Sequence, residues 1–184
     1  MLVQVVDVAL KEDFGYKNIL WIFSGRRGVH CWVCDPDARA LPNEARDAVV
    51  HYLGVDFAGA ENADDERKMR PFTGKMHASL ERAYAILEPM FEKYIVSKSG
   101  QGLLATKRAY MPVLNSLPDS GIRKELHDAW EKRPHLSAAE RWEMVKEATE
   151  EGSGGAKRAK LAPKAKSKLE AWRRELVLRH TYPR

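Results

Sequence analysis

Apolar residues recur at helical spacing at the start of the chain, which predicts a first helix. Its apolar face carries Leu2, Val5, Val6, Ala9 and Leu10, and Gly15 is a natural stop shortly afterwards. No residue suited to capping the N-terminus of this helix precedes it, which favours the expectation that this sequence begins inside a longer polypeptide.

Two short segments rich in aromatic and β-branched residues follow. Residues 19–23 read ILWIF between Gly15 and Gly25 and predict a buried strand, and residues 29–34 predict a second strand. The intervening stretch, Ser24-Gly25-Arg26-Arg27-Gly28, predicts a turn. Asp35 and Pro36 then resemble an N-cap followed by proline at the first helical position.

The remaining pattern is mainly helical. A helix beginning near residues 42–44 carries an apolar stripe of Ala45, Val49, Tyr52 and Leu53, and the acidic residues 54–70 lack periodicity and predict a loop. The next apolar face contains Met76, Leu80, Ala83, Tyr84, Leu87, Phe91 and Tyr94, with Pro89 expected to kink that helix. Later helices are indicated by Ile122, Leu126, Ala129 and Trp130, by the capping box from Ser137 to Glu140 before Trp142 and Val145, and by Leu169, Trp172 and Leu176 up to Tyr182.

These elements predict an α+β chain in which a helix, two antiparallel strands and further helices precede a mainly helical subdomain. We expect a core segment at residues 1–54, a loop at 55–70 and a helical subdomain at 71–184. With 184 residues, 44% hydrophobic and 31% charged, the composition is that of a soluble globular protein. The sequence contains no apolar run of the roughly 20 residues needed to span a bilayer, and residues 1–7 lack the features of a signal peptide.

The positive charge lies near the end of the sequence. Residues 151–184 carry a net charge of +7, whereas residues 1–150 sum to −2. Residues 152–168 hold six basic residues and no acidic one, which predicts a flexible linker. Nucleic-acid contact or a nuclear address at residues 157–160 is an alternative, but the segment has no aromatic residue for stacking on bases, so a solubilising loop is favoured.

The arginine turn has the residue types that bind phosphate. Gly25 and Gly28 allow positive φ and close approach of the backbone, while Arg26 and Arg27 offer guanidinium forks. Ser24 adds a hydroxyl and His30 a ring N–H. The alternative is a solvated basic hairpin tip, and residue types alone leave both interpretations open.

Cysteines and tryptophans favour packing roles. Strand alternation places His30, Trp32 and Cys34 on one face and Cys31 on the other, so Cys31 and Cys34 diverge and do not form a metal knuckle. With only two cysteines in the chain, we expect reduced, buried packing residues in a reducing compartment. The tryptophans, interpreted as core residues, are Trp21, Trp32, Trp130, Trp142 and Trp172. The acidic cluster at residues 61–66 lacks metal-ligand spacing, and no catalytic role is assigned to it.

Residues 9–15 (ALKEDFG), 20–23 (LWIF) and 24–35 (SGRRGVHCWVCD) resemble the catalytic small subunit of eukaryotic-type DNA primases. Looser similarity extends through Pro71-Phe72, Arg141-Trp142-Glu143 and Tyr182-Pro183-Arg184. The resemblance implies part of the archaeo-eukaryotic primase catalytic fold, in an enzyme that makes short RNA primers on a single-stranded DNA template. It also implies a nuclear location, with the primase large subunit and the DNA polymerase alpha complex as partners and no membrane.

The resemblance further implies specific roles. Ser24, Arg26, Arg27 and His30 would hold the triphosphate of the incoming NTP, with Gly25 and Gly28 shaping the turn. The complete enzyme would use Mg²⁺ or Mn²⁺ held by three aspartates, together with a structural zinc, all contributed from outside this segment. We therefore expect no catalytic or metal-ligating residue here, and an internal fragment that is inactive alone. The alternative is a non-catalytic, primase-like helical module that binds a partner subunit or nucleic acid.

Overall fold

The computed structural model describes residues 1–26, 28–55, 76–149 and 163–182. These residues form eight α-helices, one π-helical segment and one two-stranded antiparallel sheet. The chain divides into two compact units, one comprising Met1–Val55 with Tyr182–Arg184 and the other Asp56–Thr181. The expected segment limits at residues 54 and 70 stay a prediction.

The first unit is a helix, a hairpin and two further helices. Its elements are α1 (Leu2–Glu12), β1 (Ile19–Phe23), β2 (Val29–Val33), α2 (Pro36–Ala40) and α3 (Asn43–Leu53). The strands pair in register from Ile19 opposite Val33 to Phe23 opposite Val29. The predicted first helix and both predicted strands are therefore confirmed.

Helix α1 packs on one face of the hairpin. Val5, Ala9 and Leu10 are buried on its inner side. The indole Nε1 of Trp21 donates a hydrogen bond to Asp7 Oδ1 at 3.0 Å, which joins strand to helix. Trp21 is consequently half-buried rather than part of a full core.

Residues 19–23 form the predicted strand, but the prediction that this strand is buried is wrong. Leu20, Ile22 and Phe23 are exposed, and so is Trp32 across the hairpin. An apolar run on both faces predicts burial on both faces, but α1 covers only the face that carries Trp21. Trp32 is therefore not a core residue in this chain.

The second unit contains the remaining helices. They are α4 (Ala78–Phe91), a π-helical segment (Glu92–Val96), α5 (Lys107–Ser116), α6 (Ser120–Lys132), α7 (Ala138–Thr149) and α8 (Pro163–Thr181). The periodicity of the sequence indicates α4, α6, α7 and the later part of α8, whereas α5 carries no comparably clear signal.

The π-helical segment changes which side chains face the core after Phe91. Met76, Ala83, Leu87 and Phe91 are buried as predicted. Tyr94, which helical spacing places on the same face, is exposed instead. The wider π turn rotates the chain, so that Ile95 and Val96 are the buried residues there. Pro89 lies inside α4, which continues past it to Phe91.

Three tryptophans form the centre of the second unit. Trp130, Trp142 and Trp172 are fully buried, as the sequence predicts. Trp142 packs against Phe91 with ring centroids 4.9 Å apart. The indole of Trp172 donates to Ser116 Oγ at 3.0 Å, which satisfies its buried N–H.

Arg141 is a buried cation at the N-terminal end of α7. Its Nη1 donates to the carbonyl oxygen of Leu104 at 2.8 Å and to that of Ala105 at 3.2 Å. The guanidinium also lies over the rings of Tyr110 and Trp130. These contacts connect the loop before α5 to α7, because a buried guanidinium requires partners for its donors.

The predicted capping box is confirmed. Glu140 N donates to Ser137 Oγ at 3.2 Å, and Ser137 N donates to Glu140 Oε2 at 2.7 Å. The predicted linker is partly wrong, because α8 begins at Pro163 and residues 163–168 are therefore helical. The rest of that linker, from residue 152 to 162, and most of the predicted loop at 54–70 lie outside the described residues.

Candidate functional site

The candidate site is the tip of the β1–β2 hairpin. Ser24 closes the turn twice, because its N–H and its hydroxyl both donate to the carbonyl oxygen of Gly28, at 2.8 and 2.9 Å. Gly25 has φ of 79° and Gly28 has φ of 102°. The turn thus has a defined closure and two residues in backbone conformations that favour glycine.

The two glycines are required by their backbone conformation rather than by crowding. A Cβ built on Gly25 or on Gly28 meets no atom within 4 Å. The space beside the backbone is therefore open on the outside of the turn. Arg26 is exposed at this tip, and Arg27 lies outside the described residues.

His30 and Ser24 lie on the same side of the hairpin. His30 is opposite Ile22 in the register, and the Ser24–Gly28 bonds extend the ladder by one pair beyond Phe23 and Val29. Because side chains alternate between the faces of a strand, Ser24, Ile22 and His30 share one face. His30 and Arg26 are both exposed, so an imidazole and a guanidinium are accessible around one turn, whereas the Ser24 hydroxyl donates to Gly28 O.

Asp35 holds the base of the hairpin together. Its carboxylate accepts hydrogen bonds from the backbone N–H of Asn18 at 2.9 Å and of Lys17 at 3.1 Å, and from the Asn18 side-chain amide. At the same end of the hairpin, Cys34 N donates to Asn18 O at 2.8 Å. Desolvation would raise the pKa of Asp35, but the bonds from Asn18 and Lys17 outweigh it and the pKa is lowered.

The sequence predicts that Asp35 caps the N-terminus of α2, but its side chain binds Lys17 and Asn18 instead. Asp35 does occupy the N-cap position and Pro36 is the first residue of the helix, but the carboxylate makes no capping hydrogen bond to α2. Only the fold reveals that Lys17 and Asn18 reach this carboxylate. No local sequence signal distinguishes an N-cap aspartate from one that closes a hairpin.

Asp7 supports the hairpin from the side of α1. Its two oxygens accept from Lys11 Nζ at 2.6 Å and from Trp21 Nε1 at 3.0 Å. The hydrogen bond from Lys11, followed by that from Trp21, lowers the pKa of this carboxyl group. Asp7 is therefore ionised at neutral pH while it anchors β1.

The cysteines are not the buried pair that the sequence predicts. Both are free thiols, and Cys34 is exposed while Cys31 is partly buried. Burial raises the pKa of the Cys31 thiol, and the nearby charge of Asp7 adds to that rise. A raised pKa disfavours the thiolate that metals and electrophiles require.

No group of three or more His, Cys, Asp and Glu side chains that could hold a metal ion occurs within the described ranges. Nor does any helix in the described part of the chain have the length and apolarity needed to cross a membrane.

Comparison with known proteins identifies the family. The sequence profile of the DNA primase small subunit family matches residues 2–182. The chain is 42% identical over 146 residues to the DNA primase small subunit of Drosophila melanogaster, a match covering 76% of this chain and 32% of that protein. It is 31% identical to the small subunits of Schizosaccharomyces pombe and Saccharomyces cerevisiae, over 99% and 100% of this chain and 38% and 42% of theirs.

The chain belongs to the DNA primase small subunit family, a family of DNA replication proteins. It spans about a third to two-fifths of the length of these relatives. Its described architecture is mostly helical, with a two-stranded antiparallel hairpin.

Proposed function

We propose that this chain is the nucleotide-holding segment of a DNA primase small subunit. In this proposal the hairpin belongs to the primase catalytic fold, and the complete subunit synthesises short RNA primers on single-stranded DNA. The observation that carries the proposal is the exposed turn, in which Arg26 lies between two positive-φ glycines, with Ser24 before it and the exposed His30 after it in the chain.

The chemistry required is the binding of a polyanion. Guanidinium groups make short, charge-assisted hydrogen bonds to phosphate oxygens, each contributing about 1.5–3 kcal/mol. Arg26 and Arg27 would supply these bonds and His30 a further ring N–H. Gly25 and Gly28 would let the backbone approach the phosphates. The two hydrogen bonds from Ser24 to the carbonyl oxygen of Gly28 would keep the turn from opening.

The metal chemistry of a primase does not fit the residues described here, because they include no group of metal-ligating side chains. Mg²⁺ or Mn²⁺, and a structural zinc, would be held by parts of the subunit outside this chain. In this proposal the segment binds and orients the triphosphate. By itself the chain is expected to bind NTP and to form no phosphodiester bond.

The assembly partners follow from the same proposal. A primase large subunit and a DNA polymerase alpha complex would associate with the whole small subunit in the nucleus.

Calorimetric titration of the chain with ATP tests the proposal. We expect weak binding that the Arg26→Ala/Arg27→Ala variant reduces by tenfold or more, because each lost guanidinium bond is worth about a factor of ten. Lys157→Ala/Arg158→Ala is the matched control, since it removes the same charge from another basic segment and should leave ATP affinity unchanged.

Equal ATP affinity in the Arg26→Ala/Arg27→Ala variant and the unmodified chain would contradict the proposal. Binding of single-stranded DNA that neither double variant weakens, with no ATP binding, would instead favour the non-catalytic module. The two outcomes separate a nucleotide site from an interaction module.

A further inference from the structure

We propose that the second unit carries a surface that binds single-stranded nucleic acid, formed around residues 97–106 and the helix ends beside them. The residues that would contact the strand are five exposed cations and one exposed aromatic residue: Lys98, Lys107, Arg108, Lys132, Arg133 and Tyr94. The proposal rests on the second unit alone. It is independent of the triphosphate assignment to the turn, so either can fail without the other.

Arg141 brings two of the cation-bearing segments together. Its Nη1 donates to the carbonyl oxygens of Leu104 and Ala105, at 2.8 and 3.2 Å, and its Nη2 donates to that of Pro134 at 3.3 Å. The loop before α5 and the loop after α6 therefore lie within hydrogen-bond distance of one guanidinium. The exposed cations that adjoin these loops are Lys107 and Arg108 at the start of α5 and Lys132 and Arg133 at the end of α6.

The acidic residue between these cations is already engaged. Glu131 Oε2 accepts from Lys107 Nζ at 2.9 Å, and Glu131 Oε1 accepts from the Tyr110 hydroxyl at 2.9 Å. Arg108 and Lys132 form no ion pair in the described part of the chain. These two exposed cations are therefore available to a polyanion.

The charge of Arg141 adds to the positive potential from beneath the surface. Arg141 is 5% exposed, and its hydrogen bonds among the described residues go to carbonyl oxygens rather than to a carboxylate. Glu140, the residue before it, is held by the backbone and side chain of Ser137. Because a buried charge is screened less than an exposed one, Arg141 raises the potential around the neighbouring exposed cations.

An exposed aromatic ring completes the surface. Tyr94 is 46% exposed and is the one large hydrophobic side chain of the second unit that is exposed within the described ranges. Lys93 Nζ lies 5.1 Å from the centroid of its ring. Surfaces that bind single strands without sequence preference combine such rings, on which bases stack, with cations that contact the phosphates.

The backbone connects Tyr94 to the cations over a short distance. Tyr94 O accepts from Gln101 N at 3.0 Å, and Ile95 O accepts from Leu103 N at 2.9 Å, so the loop folds back on the π-helical segment. The chain from residue 101 to residue 107 extends at most about 22 Å. A single short strand can therefore contact both Tyr94 and the start of α5.

A strand of nucleic acid matches this surface better than an acidic peptide does. Each nucleotide carries a phosphate for the cations and a flat base for the ring of Tyr94, whereas an acidic side chain offers charge alone. Removal of the ring therefore distinguishes the two ligands.

Fluorescence anisotropy of the whole chain with a labelled oligothymidylate of about 20 nucleotides tests the proposal, since one single-strand-binding module covers roughly 4–16 nucleotides. We expect Arg108→Gln/Lys132→Gln to weaken binding by about tenfold. It should also lower the slope of log affinity against log salt concentration by about 1.4, because each lost phosphate contact removes about 0.7. Both side chains are exposed, so the thermal midpoint should not change.

Tyr94→Leu should weaken binding by about fivefold or more and leave the salt slope unchanged, because stacking is lost and charge is not. Tyr52→Leu, at an exposed aromatic residue of the first unit, is its control and should leave the affinity unchanged. Arg26→Ala/Arg27→Ala should also bind the oligonucleotide as the unmodified chain does, so failure of the ATP titration leaves this test intact.

Lys164→Gln/Lys166→Gln is the matched control for charge, because it removes two cations from the start of α8. Equal weakening by this variant and by Arg108→Gln/Lys132→Gln overturns the proposal, as does the absence of binding at low salt. A duplex of the same length that binds as tightly as the single strand also overturns it. Displacement of the oligonucleotide by polyglutamate of equal charge, with no effect of Tyr94→Leu, overturns it in favour of an acidic peptide.

Discussion

Asp35 shows how one side chain positions the candidate site from its far end. Its carboxylate binds the N–H groups that precede β1, while its own backbone follows β2. It therefore holds the two strands together at the open end of the hairpin. The two hydrogen bonds from Ser24 to Gly28 O hold them together at the turn. The hairpin is therefore held by hydrogen bonds at both of its ends.

The Asp35→Ala variant should loosen the hairpin. We expect the amides of Lys17 and Asn18 and those of β1 to exchange roughly fivefold faster, since their charge-assisted acceptor is removed. Asp35→Asn keeps one carbonyl acceptor, so its amide exchange rates should lie between those of the unmodified chain and those of the alanine variant. Exchange rates that are equal in the alanine variant and the unmodified chain would show that the carboxylate does not hold the hairpin.

Gly100 is a second position where a single residue determines local structure. A Cβ at this position would collide with the carbonyl oxygen of Tyr94, inside van der Waals contact. That carbonyl accepts from Gln101 N at 3.0 Å and fixes the loop after the π-helical segment. Glycine is required here because the backbone approaches this closely.

Gly100→Ala should lower the free energy of unfolding by about 2 kcal/mol or more, because the backbone must shift to relieve the collision. Gln101→Ala, at an exposed neighbouring position, should change it by less than about 0.5 kcal/mol. Urea unfolding of the two variants measures the difference. A neutral Gly100→Ala substitution would mean that this loop can move without cost.

At the scale of elements, sequence periodicity was most informative where an element buries one face in this chain. Helix α1 and the strands were predicted from spacing and residue type, and α6 and α7 from their buried leucine and tryptophans. The π-helical segment was not predicted, because its wider turn depends on packing and on the close approach of Gly100 to Tyr94. The error at Tyr94 follows directly from that missing turn.

The hairpin illustrates a different limit of prediction. The strands are predicted from the sequence and confirmed, whereas the phosphate-binding role of the glycines, arginines and histidine of the turn stays a prediction. The exposure of Leu20 and Trp32 was not predicted, because an apolar pattern reports the tendency to be buried and not whether a partner is present. The role of Asp35 also depends on a contact with Asn18 that only the folded hairpin brings about.

The capping box of α7 has a predictable pH dependence. The bonds from the Ser137 backbone and side chain hold the pKa of Glu140 below its ordinary value. A lowered folded-state pKa contributes stability above the ordinary pKa of about 4.5, and this is lost as the pH falls through the folded value. The free-energy difference between the unmodified chain and Glu140→Gln should therefore be present at pH 7 and vanish in acid.

Denaturant unfolding at a series of pH values measures this difference. Glu81→Gln, at an exposed position of α4, serves as the control for the loss of one negative charge. If the stability difference for Glu140→Gln were constant between pH 7 and pH 3, the ionised capping box would not stabilise α7.

At the scale of the whole molecule, the two units differ in how complete they are. The second unit contains a tryptophan-centred core with hydrogen-bond partners for Arg141 and Trp172. The first unit carries the candidate site on a hairpin with one uncovered face. The chain spans only part of the length of its relatives in the same family.

The central claim is that the turn from Ser24 to His30 holds a triphosphate through its phosphates. The most direct measurement is the affinity of the unmodified chain for adenosine, AMP, ADP and ATP, followed by NMR shifts of the hairpin amides. The account predicts that affinity rises with each added phosphate, that added salt weakens it, and that the shifts concentrate at residues 24–30. Equal affinity for adenosine and ATP, or shifts that lie outside the hairpin, would contradict it.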